Sequence, residues 1–127
     1  MPVDAADASD LRAAVWINLA ELFVARELQD YDYQAIARAL KASDLSQEEI
    51  RRVLVDEVAP TFLRNLSSLN PMPAFDGWSA DVVCTKVLAE QRAASGIFKR
   101  VLRFVRRDPL SNPILRARWQ RLQPLLA

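Results

Sequence analysis

The sequence predicts an all-α domain, and three observations carry that prediction. Glycine is scarce, with Gly77 and Gly96 the two in the chain. Apolar residues recur at helical spacing almost everywhere. Cap residues and proline-bearing breakers divide these periodic stretches from one another. Together they give a compact single domain over residues 1–127, a bundle of about six helices.

The first helix is expected from about Leu11 to Gln29, capped by Ser9 or Asp10. Leu11, Val15, Trp16, Leu19, Leu22, Phe23 and Leu28 draw one apolar stripe on it. Asp30-Tyr31-Asp32-Tyr33 breaks the pattern, and Asp32 caps a short second helix from Tyr33 to Lys41 with Ile36, Ala37 and Leu40 inward. Ser46-Gln47-Glu48-Glu49 is a capping box that opens the third helix. Ile50, Val53, Leu54 and Val58 line its inner face. Pro60 has no N–H for residue 56 and crowds that turn, so a kink or a restart is expected there. Phe62, Leu63 and Leu66 continue the pattern. Asn70-Pro71-Met72-Pro73 is the strongest breaker. Ser79 then caps a helix from Ala80 to about Ala93, although the β-branched run at 82–87 also allows a strand. A fifth helix is expected from Ile97 to Arg107, and Asp108-Pro109 stops it. Asn112-Pro113 starts the last, with Leu115, Trp119 and Leu122 inward and Pro113 at the first helical position. The N-terminal residues 1–8 are expected to be flexible. The core is expected around Trp16, Phe23, Phe62 and Trp119.

Composition narrows the function classes. The chain has 127 residues, 51% of them hydrophobic and 26% charged, and no histidine. Without histidine there is no Ser-His-Asp triad, no Cys-His dyad and no imidazole metal site. Cys84 is the single cysteine, so neither an intrachain disulfide nor a multi-cysteine metal cage can form. Two glycines cannot make a Gly-rich phosphate loop. No metal, no cofactor and no enzymatic activity are expected. The acidic start Met1-Pro2-Val3-Asp4 lacks the basic and apolar regions of a secretory signal. No window approaches about 18 uncharged apolar residues. The expected location is therefore the cytoplasm, with no membrane contact.

Charge is segregated along the chain. Residues 1–96 carry 9 basic and 15 acidic side chains, and residues 97–127 carry 8 basic and 1 acidic. The basic helical pair at 97–127 is one candidate surface. Arg100, Arg103 and Arg107 fall on one helical face, and Arg118 extends the basic set. Such a stripe suits phosphates or an acidic protein face, or else pairs internally with the acidic first two-thirds. The second candidate surface is the acidic, aromatic turn of Glu27, Asp30, Tyr31, Asp32 and Tyr33. Tyrosine offers rigid area with a polar tip, and carboxylates around it suit a basic partner. The plainer reading makes Asp32 a helix cap with the tyrosines packed beneath.

Other features read as structural. Asp56 and Glu57 are adjacent and face different ways on a helix, so they form no acid–base pair. Glu57 interrupts the apolar stripe just before Pro60 and is expected to bond backbone groups freed by the kink. Cys84 reads as a core thiol. Phe75 and Trp78 read as plugs for one end of the bundle, with Asp76 bonding local backbone.

Several of these residues carry a resemblance. Arg12, Val15-Trp16, Leu19, Leu22-Phe23, Glu27-Leu28, Ile36-Ala37, Glu57-Val58-Ala59-Pro60, Asn65-Leu66 and Phe75-Asp76-x-Trp78 resemble small bacterial proteins of the DUF7079 domain family. The resemblance covers about residues 12–80, and Glu-Val-Ala-Pro followed by Asn-Leu is its most specific part. It departs from the family pattern at Ser67-Ser68-Leu69-Asn70-Pro71, where an Ala-Gly-x-Trp-like turn is expected. The resemblance implies a bacterial, cytoplasmic, helical protein and no activity. It makes Glu57, Pro60 and Asn65 landmarks of the fold.

Two function classes remain on these grounds. The first is a non-catalytic binding module, an immunity- or antitoxin-like inhibitor that blocks a partner protein such as a toxin through a charged face. The alternative is a nucleic-acid-associated regulator acting through the basic C-terminal helices. Opposite charge blocks in one chain also suit a homo-oligomer.

Overall fold

The computed structural model describes residues 5–66, 74, 76–93 and 108–127, with side chains from Asp10 onward. Every regular element among them is helical: five runs and a separate 3₁₀ turn at Pro109–Ser111. The fifth expected helix, at 97–107, lies outside the described residues, as do Phe75 and residues 1–4. None of the described helices is long and apolar enough to cross a membrane.

Helix α1 covers Ala5–Ala20 and tightens into a 3₁₀ turn at Glu21–Phe23. It starts earlier than expected and ends about a turn and a half sooner. The reason for the early end is tertiary. Val24 is extended, with φ −67° and ψ 150°, and the N–H of Ala25 donates to the carbonyl of Ala74 at 2.8 Å. From Val15 to Leu28 the apolar stripe survives the change, with Leu22, Phe23 and Leu28 buried, but its first expected member, Leu11, is 49% exposed.

Helix α2 covers Asp30–Lys41, so Asp30-Tyr31-Asp32 forms its first turn rather than a break. Gln29 is the N-cap, and Asp32 accepts from its N–H at 2.8 Å. Asp32 does cap the helix, but from the third helical position. Helix α3 covers Gln47–Val53 and begins as expected, with the Ser46 hydroxyl accepting from the N–H of Glu49 at 3.1 Å.

The chain then widens into a π turn at Leu54–Val58, which the N–H of Ala59 closes on the carbonyl of Leu54. Helix α4, Ala59–Phe62, and a 3₁₀ turn at Leu63–Leu66 complete the run. Pro60 is the local cause: it cannot donate, so the ladder has to shift beside it. Packing explains why the shift is tolerated. Ile50, Leu54, Val58, Phe62 and Leu66 are buried at every fourth position. Such a row drifts around an ordinary helix of 3.6 residues per turn, and one wider turn brings it back into line.

Helix α5 covers Ala80–Ala93, and the Ser79 hydroxyl accepts from the N–H of Val82 at 3.3 Å. Residues 82–87 are therefore helix, not strand. Val83 and Val87 are buried, and Cys84 is half-buried against the core. Helix α6 covers Pro113–Leu122, capped by Asn112, whose side chain accepts from the N–H groups of Ile114 and Leu115. Helix α1 is central and packs against α2, the π turn and α5, while α6 lies on α2. The core holds Trp16, Phe23, Phe62 and Trp119 as the sequence suggested. Phe62 lies between Phe23 and Trp78, with ring centroids 6.3 Å and 4.5 Å away. Trp78 thus packs on the core through Phe62.

Asn65 ties this architecture at one point. Its amide donates to the carbonyls of Phe23 at 2.7 Å and Ala74 at 2.9 Å, and its oxygen accepts from the N–H of Ala74 at 2.7 Å. Asn65→Ala removes all three bonds and takes the partner from the Phe23 carbonyl and the Ala74 N–H, while the Ala74 carbonyl keeps the N–H of Ala25. We expect it to cost about 2–4 kcal/mol in urea unfolding at neutral pH. A loss below about 0.5 kcal/mol would show that water replaces the amide.

Candidate functional site

The turn between α1 and α2 is where the sequence placed its acidic face, and the structure makes it a rigid corner. Arg26 leaves α1 and turns back over the start of α2. Its two terminal nitrogens meet the two carboxylate oxygens of Asp32 at 3.0 and 3.1 Å. Asp32 is 14% exposed, and it also holds the N–H of Gln29. Its carboxyl lies below the usual range, chiefly through the hydrogen bond from Arg26. Burial pushes the neighbouring Glu21 carboxyl the other way, upward. Gly77, at φ +91°, lies against Glu21, and a Cβ there would come within 3.0 Å of its carboxylate.

Helix α6 closes the corner from the far side. Arg118 donates to the carbonyls of Leu22, Val24 and Arg26 at 2.8, 2.7 and 2.8 Å. These are carbonyls that the end of α1 and the extended residues after it leave without helical partners. Burial lowers the Arg118 pKa from its usual value. Arg121, one turn further along α6, pairs with Asp30 and lies 4.5 Å over the ring of Tyr33.

The five residues of the predicted acidic face therefore divide. Asp32 and Tyr33 face inward, Asp32 as cap and ion-pair partner and Tyr33 at 4% exposure. Glu27, Asp30 and Tyr31 face outward, with Tyr31 at 68% the most exposed large apolar side chain described. The basic set divides too. Arg118 is spent on backbone carbonyls, while Arg100, Arg103 and Arg107 lie outside the described residues. Arg26 was missed as a member of the corner, and the sequence places Arg121 only in a basic end that either binds a partner or pairs internally. The six-residue separation of Arg26 from Asp32 was the available signal for the first. Nothing local announces the second, which reaches across 91 residues.

A second polar cluster surrounds Glu57, and it differs from the expectation. Its carboxylate bonds side chains, not backbone freed by Pro60. Oε1 accepts from Arg12 Nε at 2.9 Å, from the Trp16 indole at 3.1 Å and from Gln91 at 3.1 Å. Arg12 also pairs with Oε2. The π turn aims Glu57 at this set, so one carboxylate joins α1, the π turn and α5. Arg12 and Trp16, four apart on one helix face, were the sequence signal for two of its partners. Among the described residues no group of three or more cysteine, aspartate and glutamate side chains is placed to hold a metal ion.

Fold and corner together define a class: a small helical scaffold, cross-linked by side chains that satisfy one another, with an acidic and aromatic helix start on its surface. The chain belongs to the family described as a domain of unknown function, DUF7079, whose model matches residues 10–125. The match runs well past the 12–80 suggested by the sequence motifs and takes in α6 with Arg118 and Arg121. No curated protein and no solved structure matches the chain.

Two outcomes follow from the corner's chemistry. Arg118→Met keeps much of the side-chain volume but removes the donors from three carbonyls, and should cost about 3 kcal/mol of stability in chemical denaturation. Arg118→Lys should recover part of it, since one ammonium cannot reproduce the guanidinium fork. The second outcome is pH-dependent. Because the folded pKa of Asp32 is lowered, its stabilisation is complete above the unfolded value of about 3.9 and is lost as pH falls through the folded value. Asp32→Asn should therefore lower stability at pH 7 and converge with wild type in acid. A gap that persists undiminished at the lowest pH would refute the assignment.

Proposed function

We propose that the protein is a non-catalytic binding module, an immunity- or antitoxin-like inhibitor that acts in the bacterial cytoplasm by covering a partner protein's surface. The observation that carries this reading is the outward set Glu27, Asp30 and Tyr31 on a corner that is already fixed. An exposed tyrosine flanked by carboxylates is an apt anchor for a basic protein surface. The corner beneath it is held by Arg26, Arg118 and the Asp32 cap. Little ordering is left to do on association, which lowers the cost of binding. The outward carboxylates of Glu27 and Asp30 favour fast, steered encounter with a basic partner. The nucleic-acid reading gains no such support, because Arg118, the described member of its basic set, is turned to backbone.

The test is affinity capture from the native lysate with the tagged chain and with a Glu27→Lys/Tyr31→Ala variant. Asp32 is left intact, because its loss would unfold the corner. The expected result is one stoichiometric protein partner, held by the wild type and released at least tenfold more readily by the variant, which keeps its helical circular dichroism. The partner's own activity should fall when the wild-type chain is added. Equal retention by the variant, or recovery of salt-sensitive nucleic acid without a protein, would overturn the reading.

A further inference from the structure

We propose that Arg121 occupies a receptacle meant for a partner's arginine, and that the partner binds by exchanging its guanidinium for this internal one. The inference rests on the acidic-face reading above and names the chemistry that face recognises. The receptacle is made of Asp30 and Tyr33, three residues apart on the first turn of α2 and so on one face of it. The Tyr33 ring supplies a flat π surface and Asp30 a carboxylate beside it, the two elements that select a planar guanidinium. The chain itself shows the fit: Arg121 lies 4.5 Å over the ring and pairs with that carboxylate.

The contrast with Arg118 shows that Arg121 is exchangeable. Arg118 is the structural clamp between α6 and the corner, with three carbonyls as acceptors. Helix α6 is anchored besides by Leu115, Trp119 and Leu122, all buried. Arg121 adds one exposed ion pair, with side-chain exposures of 51% and 82% for Arg121 and Asp30. Exposed pairs of this kind are weakly held and screened by salt. An arriving arginine on a basic protein segment therefore loses little by displacing it. Tyr31, exposed on the same helix turn, is left for other residues of that segment to meet. Exchange has a consequence for selectivity. A lone cation or a weakly basic surface must compete with a tethered guanidinium, so a partner presenting several arginines is favoured over one presenting a single charge.

The test uses the full chain and a fluorescent hexa-arginine peptide, with hexa-lysine as the equal-charge comparison, at low salt. Arg121→Gln is set against Arg52→Gln, which removes an exposed arginine from α3 and changes net charge equally. Exchange predicts that hexa-arginine binds Arg121→Gln about three- to tenfold more tightly than wild type, the range expected when a surface pair and a cation–π contact stop competing. Arg52→Gln should gain clearly less, and hexa-lysine should show little of the preference. Arg121→Lys keeps the charge and should also tighten hexa-arginine binding, by a smaller factor, which covers the case of an Arg121→Gln variant that folds poorly. Asp30→Asn should weaken binding in every background. If Asp30→Asn and Tyr31→Ala weaken the peptide but Arg121→Gln gains no more than Arg52→Gln, exchange is overturned and the acidic face survives. If none of these variants matters, both fall.

Discussion

Helix α1 ends inside the molecule, and the carbonyls at that end must be met by something other than water. Backbone acceptors away from solvent are costly when unpaired. Arg118 meets those of Leu22, Val24 and Arg26, and Asn65 meets that of Phe23. Because these donors come from α6 and from the end of the α3–α4 run, satisfying one helix end fixes where two other elements lie. The corner at 24–33 is then held from α6 and from Asn65 independently of any ion pair across it. Asp32 and Arg26 complete it locally, and Gln29 receives its cap from the same carboxylate.

Elements whose signals are local were readable from the sequence. The caps at Ser46, Ser79 and Asn112 appear where the residue types put them, and α5 has the expected ends. The apolar stripes named most of the described core, because burial follows periodicity whatever the element boundaries, but not Val24, Val83, Val87 or Leu126. Boundaries set by distant partners were not readable. Helix α1 stops at the 3₁₀ turn ending with Phe23 because Ala74, Asn65 and Arg118 take over its last polar groups. No residue near position 23 records that. The same applies to Asp32. It reads as a cap, and it is one, but its place in the third helical position depends on Gln29, which is not among the preferred cap residues. Pro60 announced a disturbance. That the disturbance would be a π turn aiming Glu57 at Arg12, Trp16 and Gln91 depended on α1 and α5 being there to receive it.

The charge segregation of the chain changes meaning in three dimensions. Along the sequence, a basic last quarter faces an acidic remainder, which suggests two opposed surfaces. In the described structure, the basic end folds onto the acidic part instead. Arg118 is consumed by carbonyls, and Arg121 meets Asp30. In the other direction, Arg51 of α3 approaches Asp108 at 4.0 Å. Among the described residues, Arg118 and Arg121 of the basic end are thus spent on contacts within the molecule. What faces solvent at the corner is the part left over after these internal demands: Glu27, the outer side of Asp30, and Tyr31.

That remainder has a physical logic. A carboxylate that caps a helix and holds a bidentate arginine cannot be lent to a partner without loosening the corner, so Asp32 is a poor contact residue despite its position. Asp30 sits two residues earlier, at the same helix start, where the partial positive charge of the N-terminus favours it without any obligate partner. It is 82% exposed against 14% for Asp32. One aspartate therefore builds the corner and the other is available at its surface. Tyr31 and Tyr33 divide in the same way, one exposed and one buried beneath Arg121. In this turn the alternation of Asp-Tyr-Asp-Tyr is a separation of roles by helix geometry: residues two apart point in different directions. Asp30 and Tyr31 can change their contacts while the Asp32 cap and its pair with Arg26 stay in place.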